Sequence, residues 1–216
     1  MAMESLNEFL KKIDFEQDTI FHTEDGILNT SMWDKNGQYV VNGVFKSPFP
    51  IEKFTILPKT LADAMSFATD ISVVDGKLLK IQSIEVNGTL NLHEAVGREG
   101  APKIEFTEEN SFVIKADMIS RILKAQKMLG SKLLTVKIEN GSSVLRVKGD
   151  TEESGLDFKI NAPMAATMEI NLGEAVFGVF EKSSGFDLQV SVVNGKPVRF
   201  GLGSPAFSVF YYVMNQ

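Results

Sequence analysis

Apolar residues recur with helical spacing in four short segments of the chain, and each segment leads into a pair of strand-like runs. Leu61, Met65 and Ala68 fall on one face of a predicted helix that Pro58 opens, because proline suits the first helical position. A similar apolar face recurs over residues 172–180, and two further copies lie near the start and in the middle of the chain. The pattern predicts four helices, each followed by a hairpin.

An Asp-Gly or Asn-Gly pair stands at the centre of each predicted hairpin. Such pairs favour tight turns, since both central positions reach positive φ at least cost in Gly, Asn and Asp. The hexapeptide S-V-V-(D/N)-G-K occurs twice, at residues 72–77 and 191–196, and the lysine that ends each copy is interpreted as a solvated loop-tip residue. Four similar units indicate a repeated fold, with turn glycines at Gly26, Gly76, Gly141 and Gly195.

The longest gap between hairpins separates the second unit from the third. Its residues 93–110 are rich in Gly and Glu and weak in periodicity, and a loop of that length inside one compact domain would be unusual. The other gaps contain alternating or apolar strand patterns, which predict an α+β fold that is mostly β. We therefore predict an N-terminal domain at 1–96, a linker at 97–107 and a similar C-terminal domain at 108–216.

Composition narrows the possible classes. A chain of 216 residues, 44% apolar, can bury one large core or two smaller ones. A net charge of −6 argues against a surface that is basic throughout, and the absence of cysteine excludes disulfides and thiolate zinc sites. No apolar run could span a bilayer, and charges near the first residues do not suit a signal peptide. These features predict an intracellular protein with no membrane partner.

The third predicted helix carries the strongest charge signal. Residues 118–132 contain no acid, and Arg121, Lys124 and Lys127 fan over the side opposite the apolar Met118, Ile122, Ala125 and Leu129. Such a face is either an ordinary solvated surface or a site for the phosphates of a nucleic acid. Contacts of the second kind neutralise phosphates without reading bases.

An enzyme is the first competing class, and the sequence offers it little. The chain has two histidines and no cysteine, and it has no Gly-rich phosphate loop, H-E-x-x-H or G-x-S-x-G motif. Glu152 and Glu153 are adjacent carboxylates in a polar segment, a setting typical of solvated residues. We predict that the protein is not an enzyme and needs neither a metal nor a cofactor.

Three stretches resemble the two-domain DNA sliding clamps, the family of proliferating cell nuclear antigen and its archaeal and phage relatives. They are GILNTSMWDKNGQYVV at 26–41, the long run from FVIKADMISRILKAQ to LDFKI at 112–160, and GKPVRFGLGSPAFSVFYYVMNQ at 195–216. The similarity covers nearly the whole chain but is diffuse. It is therefore typical of a divergent clamp of viral, phage or archaeal type.

The resemblance implies a fold and a function. Each clamp domain is built from two β-α-β-β-β units, with helices on the inner face of curved antiparallel sheets. Three chains would close head to tail into a homotrimeric ring around double-stranded DNA. A clamp loader would place the ring, which would tether DNA polymerase and other replication proteins as a processivity factor. The expected location is the cytoplasm, or the cytoplasm or nucleus of a host cell if the protein is viral.

The resemblance also implies two sets of site residues. The DNA-facing set comprises Lys11, Lys12, Lys59, Arg121, Lys124, Lys127, Lys132 and Lys182. The set for a partner peptide comprises Met32, Trp33, Ile104, Pro197, Tyr212 and Val213, with Trp33 as an added aromatic anchor. For the second set, ordinary core packing is the competing interpretation. Two alternatives to the ring also stay open: a clamp-like processivity subunit that does not close, and a β-rich viral structural protein.

Overall fold

A computed structural model describes residues 2–34, 36–46, 53–68, 70–75, 77–92, 104–106, 111–139, 142–151, 153–161 and 167–216. The chain divides into two compact units. The first comprises Met1–Trp33, Val41–Ala101 and Gly203–Val209, and the second comprises Asp34–Val40, Pro102–Leu202 and Phe210–Gln216. The turns predicted at Gly76 and at Asn140–Gly141 lie outside the described residues, as does most of the predicted linker.

The first unit contains two helices and most of seven strands. Strands β4, β1, β2 and β3 are hydrogen-bonded neighbours in that order, and a three-stranded sheet has the order β5-β6-β7. The elements are α1 (Ala2–Ile13), β1 (Thr19–Glu24), β2 (Ile27–Trp33), β3 (Tyr39–Phe45), β4 (Lys53–Ile56), α2 (Pro58–Phe67), β5 (Asp70–Val74), β6 (Leu78–Gln82) and β7 (Asn87–Asn91).

The second unit also contains two helices. A four-stranded sheet has the order β11-β10-β9-β12, and strands β15, β14, β13 and β8 are hydrogen-bonded neighbours in that order. The elements are β8 (Ser111–Ile114), α3 (Ala116–Leu129), β9 (Leu134–Glu139), β10 (Ser142–Lys148), β11 (Gly155–Ile160), β12 (Met168–Leu172), α4 (Ala175–Lys182), β13 (Leu188–Ser191), β14 (Val198–Gly203) and β15 (Phe207–Val213).

The predicted succession of helix and hairpin is confirmed for the four helices of the described chain. Pro58 opens α2, whose Leu61 and Met65 are buried as the spacing predicts. The first hairpin pairs Glu24 with Ile27, so only Asp25 and Gly26 form the turn. Both adopt positive φ, at 50° and 75°, which is the requirement of a type I′ turn.

The two S-V-V-(D/N)-G-K copies form different turns. In the first copy Asp75 has φ 54°, and Val74 of β5 pairs with Leu78 of β6 beside the turn. In the second copy only Gly195 of the central pair has positive φ, at 69°, and the ladder resumes at Ser191 and Arg199. Proline has no N–H for a ladder, and β14 begins directly after Pro197. The second copy therefore closes a longer connection than a tight hairpin.

The first repeat also differs from the other three. Each of those begins with a strand before its helix, in the order β-α-β-β-β, whereas no described residue forms a strand before α1. Strand β8 pairs with β13 in the second unit, whereas β5 is an edge of its sheet in the first unit.

Helix α3 presents two distinct faces. Ile119, Ile122 and Ala125 are buried, and Met118 is half-buried, so the core face is rotated slightly from the predicted one. Gly130 ends the helix at φ 62°, the left-handed conformation that glycine favours at this position.

The start of α3 is fixed by a side chain from elsewhere in the second unit. Asp187 accepts a hydrogen bond of 3.0 Å from the backbone N–H of Ala116 and one of 2.8 Å from Nζ of Lys115. An anion at a helix N-terminus meets unpaired N–H groups and the positive end of the helix dipole. These contacts, led by the Lys115 hydrogen bond, hold the pKa of Asp187 below its ordinary value of 3.8.

Replacing Asp187 with asparagine should make the stability of the fold less sensitive to a fall in pH. A carboxyl whose pKa is lowered in the folded state stabilises fully above its unfolded pKa, and this contribution is lost as pH falls through the folded pKa. The melting temperature of Asp187→Asn should therefore lie below that of the wild type at pH 7, and the gap should close below pH 3.8. Thermal unfolding followed by circular dichroism measures both. A difference in melting temperature that stays constant from pH 7 to below pH 3.8 would contradict the stabilising role of the Asp187 carboxylate.

An aromatic cluster fills the core of the first unit around Gly43. The ring of Phe9 lies 5.6 Å from that of Phe45 and 5.8 Å from that of Phe207, between centroids. A Cβ added at Gly43 would lie 2.6 Å from the Phe9 ring and 2.8 Å from Cγ2 of Thr30. Glycine here allows the helix to approach the sheet closely.

Gly43→Ala should lower the free energy of unfolding by about 1–3 kcal/mol, because the Phe9 ring is fully buried and cannot yield without moving its neighbours. Gly88→Ala is the matched control, since an added Cβ there meets nothing within 4 Å. Urea unfolding of both variants measures the difference. Equal midpoints for the two would show that the core accommodates the methyl group.

Candidate functional site

The basic side of α3 is open to solvent. Arg121, Lys124 and Lys127 are all exposed, as is Lys132 just beyond the helix. The guanidinium carbon of Arg121 lies 5.8 Å from the centre of the Phe158 ring, a cation–π distance that steadies the side chain. The helix has one acid, Asp117, in its first turn. This face presents cations suited to the phosphates of a nucleic-acid backbone.

Helix α4 contacts α3 but adds less positive charge. Its Lys182 is half-buried, and the neighbouring Glu174 and Glu181 are exposed. The positive charge of the second unit's helices is therefore concentrated on α3.

Helices α1 and α2 of the first unit form a groove of about 640 Å³. Lys11 and Lys12 line it together with Glu4 and Glu8. Burial lowers the pKa of Lys12, and the charge of Glu8 opposes that shift. Lys59 is exposed on α2, outside the residues that line the groove. The predicted cations of α1 in the first unit therefore lie beside acidic residues, whereas those of α3 in the second unit lie on a face with few acids.

Of the six residues predicted for a partner peptide, three are buried and three, Trp33 among them, are half-buried. Met32 and Trp33 belong to the first unit, where Met32 is 3% exposed and its sulfur accepts a hydrogen bond from Nε2 of Gln17. In the second unit Tyr212 and Val213 are buried, and Ile104 and Pro197 are half-buried. Val213 lines a cavity of about 180 Å³ with residues 214–216, Gly37, Gln38, Gly173 and Ala175.

In the second unit four residues surround the guanidinium of Arg199, and we call these five residues the Arg199 cluster: Phe106, Ser191, Arg199, Phe210 and Tyr212. Arg199 on β14 lies over the Phe106 ring at 4.3 Å and over the Phe210 ring at 5.6 Å. One of its terminal nitrogens donates to Oγ of Ser191 at 3.1 Å. The rings of Phe106 and Tyr212 lie 6.2 Å apart.

Tyr212 links the predicted set to this cluster. Burial raises the pKa of its hydroxyl, and the charge and hydrogen bond of Arg199 oppose the shift. Sequence reasoning named Tyr212 and Ile104 for the partner set and did not name Arg199 or Phe106. The signal for Arg199 was present, because it alternates with the buried Val198 and Phe200 and so points to the other face of β14.

Two kinds of feature are absent from the described residues. No helix there is long and apolar enough to cross a membrane. Within the same residues, no group of three or more His, Cys, Asp or Glu side chains is placed to hold a metal ion.

Comparison with known proteins identifies the fold. No family model and no curated protein matches the sequence. Among solved structures, PCNA of A. fulgidus, determined with the C-terminal region of FEN-1 bound, superposes with a TM-score of 0.80 at 16% identity, covering 100% of this chain and 96% of that one. Entamoeba histolytica PCNA gives 0.74 at 14% identity, covering 99% and 94%. The chain therefore has the fold of the PCNA sliding clamps over its full length.

Proposed function

We propose that this chain is a DNA sliding clamp that closes as a head-to-tail homotrimer around duplex DNA and serves as a processivity factor. The observation that carries the proposal is the clamp fold, which extends over the whole chain and carries an exposed basic helix face. On this proposal the protein is a scaffold with no chemistry of its own. It acts in the cytoplasm, or in the cytoplasm or nucleus of a host cell if its source is viral.

The DNA contact rests mainly on α3. Arg121, Lys124 and Lys127 project from a chain whose net charge is −6, so they present local positive charge on an acidic protein. Such cations bind phosphates whatever the base sequence, as a protein that slides along DNA requires. Lys11, Lys12, Lys59, Lys132 and Lys182 are the remaining members of the proposed DNA-facing set.

Sheet edges support ring closure. Among the described strands, β7 is an edge of its sheet in the first unit, and β11 is an edge of its sheet in the second. Exposed edges offer unpaired N–H and C=O groups to another strand. Pairing β7 of one copy with β11 of the next joins two unlike surfaces, and repetition of a head-to-tail contact gives a ring when the rotation closes.

The proposed partners are DNA polymerase, a clamp loader and other replication proteins. The A. fulgidus clamp was solved with the C-terminal region of FEN-1 bound, which supports a peptide-binding role for this fold. Met32, Trp33, Ile104, Pro197, Tyr212 and Val213 are the proposed contacts. Tethering raises the effective concentration of the polymerase at the primer end without any new contact to DNA.

Solution mass and DNA threading test the proposal together. Light scattering should give a mass near three times 23.8 kDa. The protein should also thread onto a linear DNA duplex over the free DNA ends. Once both DNA ends are blocked with streptavidin, it should stay on the DNA through a high-salt wash and leave when the duplex is cut. A monomer whose mass does not change with concentration would overturn the ring. Loss of a trimer from blocked DNA in high salt would overturn encirclement.

A further inference from the structure

Arg199 occupies a setting unlike that of the other arginines of the second unit. It is half-buried, and its guanidinium carbon lies 4.3 Å and 5.6 Å from the centres of two phenylalanine rings. Its described hydrogen-bond partners are hydroxyls, those of Ser191 and Tyr212. Arg146, also half-buried, pairs instead with the carboxylate of Asp157 at 3.2 Å.

No ion pair found among the described residues includes Arg199. A guanidinium carries five N–H donors in a planar fork, and two hydroxyls leave most of that capacity available. Partial burial without a counter-charge is unfavourable, because the cation loses hydration and gains no charge in return. A carboxylate would restore the balance, and the planar fork matches its two oxygens.

The surroundings of Arg199 favour a peptide as the source of that carboxylate. The rings of Phe106, Phe210 and Tyr212 border the guanidinium and offer apolar contact to a neighbouring side chain. Phe106 stands two residues after Ile104, and Tyr212 belongs with Ile104 to the proposed peptide-binding set. A carboxylate beside an aromatic or aliphatic side chain therefore fits this group of residues better than a hydrated phosphate does.

We propose that Arg199 is the specificity residue of the partner site and binds a carboxylate of the partner peptide. The ligand class is an extended acidic peptide segment that carries an apolar side chain beside the acid. The Phe106 and Phe210 rings hold the guanidinium in place and contact that apolar neighbour. This inference rests on the proposed function, since it names the chemistry that the peptide site selects.

Selection from a random peptide library displayed on phage tests the inference. Wild-type protein should enrich peptides with Asp or Glu next to an aromatic or aliphatic residue. Arg199→Gln should enrich peptides without that acid. Arg146→Gln is the matched control, because it removes the other half-buried arginine of the second unit, and it should enrich the same acidic peptides as the wild type.

A synthetic pair then measures the contact directly. The best enriched peptide and its version with Asp or Glu changed to the amide are titrated by fluorescence anisotropy. The amide should bind the wild type at least about tenfold more weakly, as loss of a charge-assisted bond predicts. The acid and amide peptides should bind Arg199→Gln with equal affinity. Arg199→Lys keeps the charge but loses the fork, and it should give an intermediate ratio.

The outcomes separate the two ideas. If no peptide is enriched on the wild type, the peptide-binding part of the proposed function fails. If peptides are enriched but acid and amide bind the wild type equally, only the role of Arg199 fails. Duplex DNA is added as a competitor to the wild type and to Arg121→Gln, each with the acidic peptide bound. If DNA displaces the peptide equally from both proteins, Arg199 binds nucleic acid and the proposal that it binds a peptide is overturned. Circular dichroism of each variant confirms that it is folded before binding is measured.

Discussion

Exchanging Arg121 and Lys124 together for glutamate should lower the affinity for linear duplex DNA about a hundredfold at low salt. Each phosphate contact adds about 0.9 to the slope of log affinity against log salt, so loss of two contacts should reduce that slope by about 2. Both side chains are exposed on α3, so the fold should be unaffected. Anisotropy titrations at several salt concentrations measure affinity and slope together.

The matched control reverses the charge of two lysines that lie outside the helices. Lys77 and Lys196 are the exposed residues that end the two S-V-V-(D/N)-G-K copies, and Lys77→Glu with Lys196→Glu makes the same change in net charge. That variant should keep the wild-type slope. Equal losses in the two variants would show that net charge, and not the α3 face, governs binding. An unchanged slope in the α3 variant would remove the helix from the DNA contact.

Much of the fold could be predicted from local pattern. The spacing of Leu61 and Met65 placed the buried side of α2, and Asp25 with Gly26 supplied the positive φ values of the first turn. These features are set by residues close in sequence, where periodicity and turn chemistry act directly. The exposure of Arg121, Lys124 and Lys127 follows from the same local geometry.

The features that sequence reasoning missed depend on distant contacts. The pairing of β8 with β13 in the second unit, for example, joins two strands that lie far apart in the sequence. The Arg199 cluster joins residues from three strands, β13, β14 and β15, with Phe106 from residues 104–106. The motif S-V-V-(D/N)-G-K predicted one turn type for two sites, and Pro197 next to the second copy explains the difference.

Met32→Ala should lower the free energy of unfolding by about 2–5 kcal/mol. The resemblance to sliding clamps assigns Met32 to a peptide pocket, where truncation would affect binding alone. In the structure its side chain is 3% exposed on β2, and its sulfur accepts a hydrogen bond from Gln17 at 3.7 Å. Removing a buried thioether leaves a cavity, so a stability cost is expected whether or not a partner touches this residue. Urea unfolding measures it.

Two further variants decide how that result bears on binding. Met128 is 69% exposed on α3, so Met128→Ala should change the unfolding free energy by less than about 0.5 kcal/mol. Met32→Leu conserves volume and should cost less than about 1.5 kcal/mol. If Met32→Leu is folded and still loses an enriched peptide, Met32 contacts the partner as well as the core. If Met32→Ala is as stable as Met128→Ala, the side chain is not packed as the structure places it.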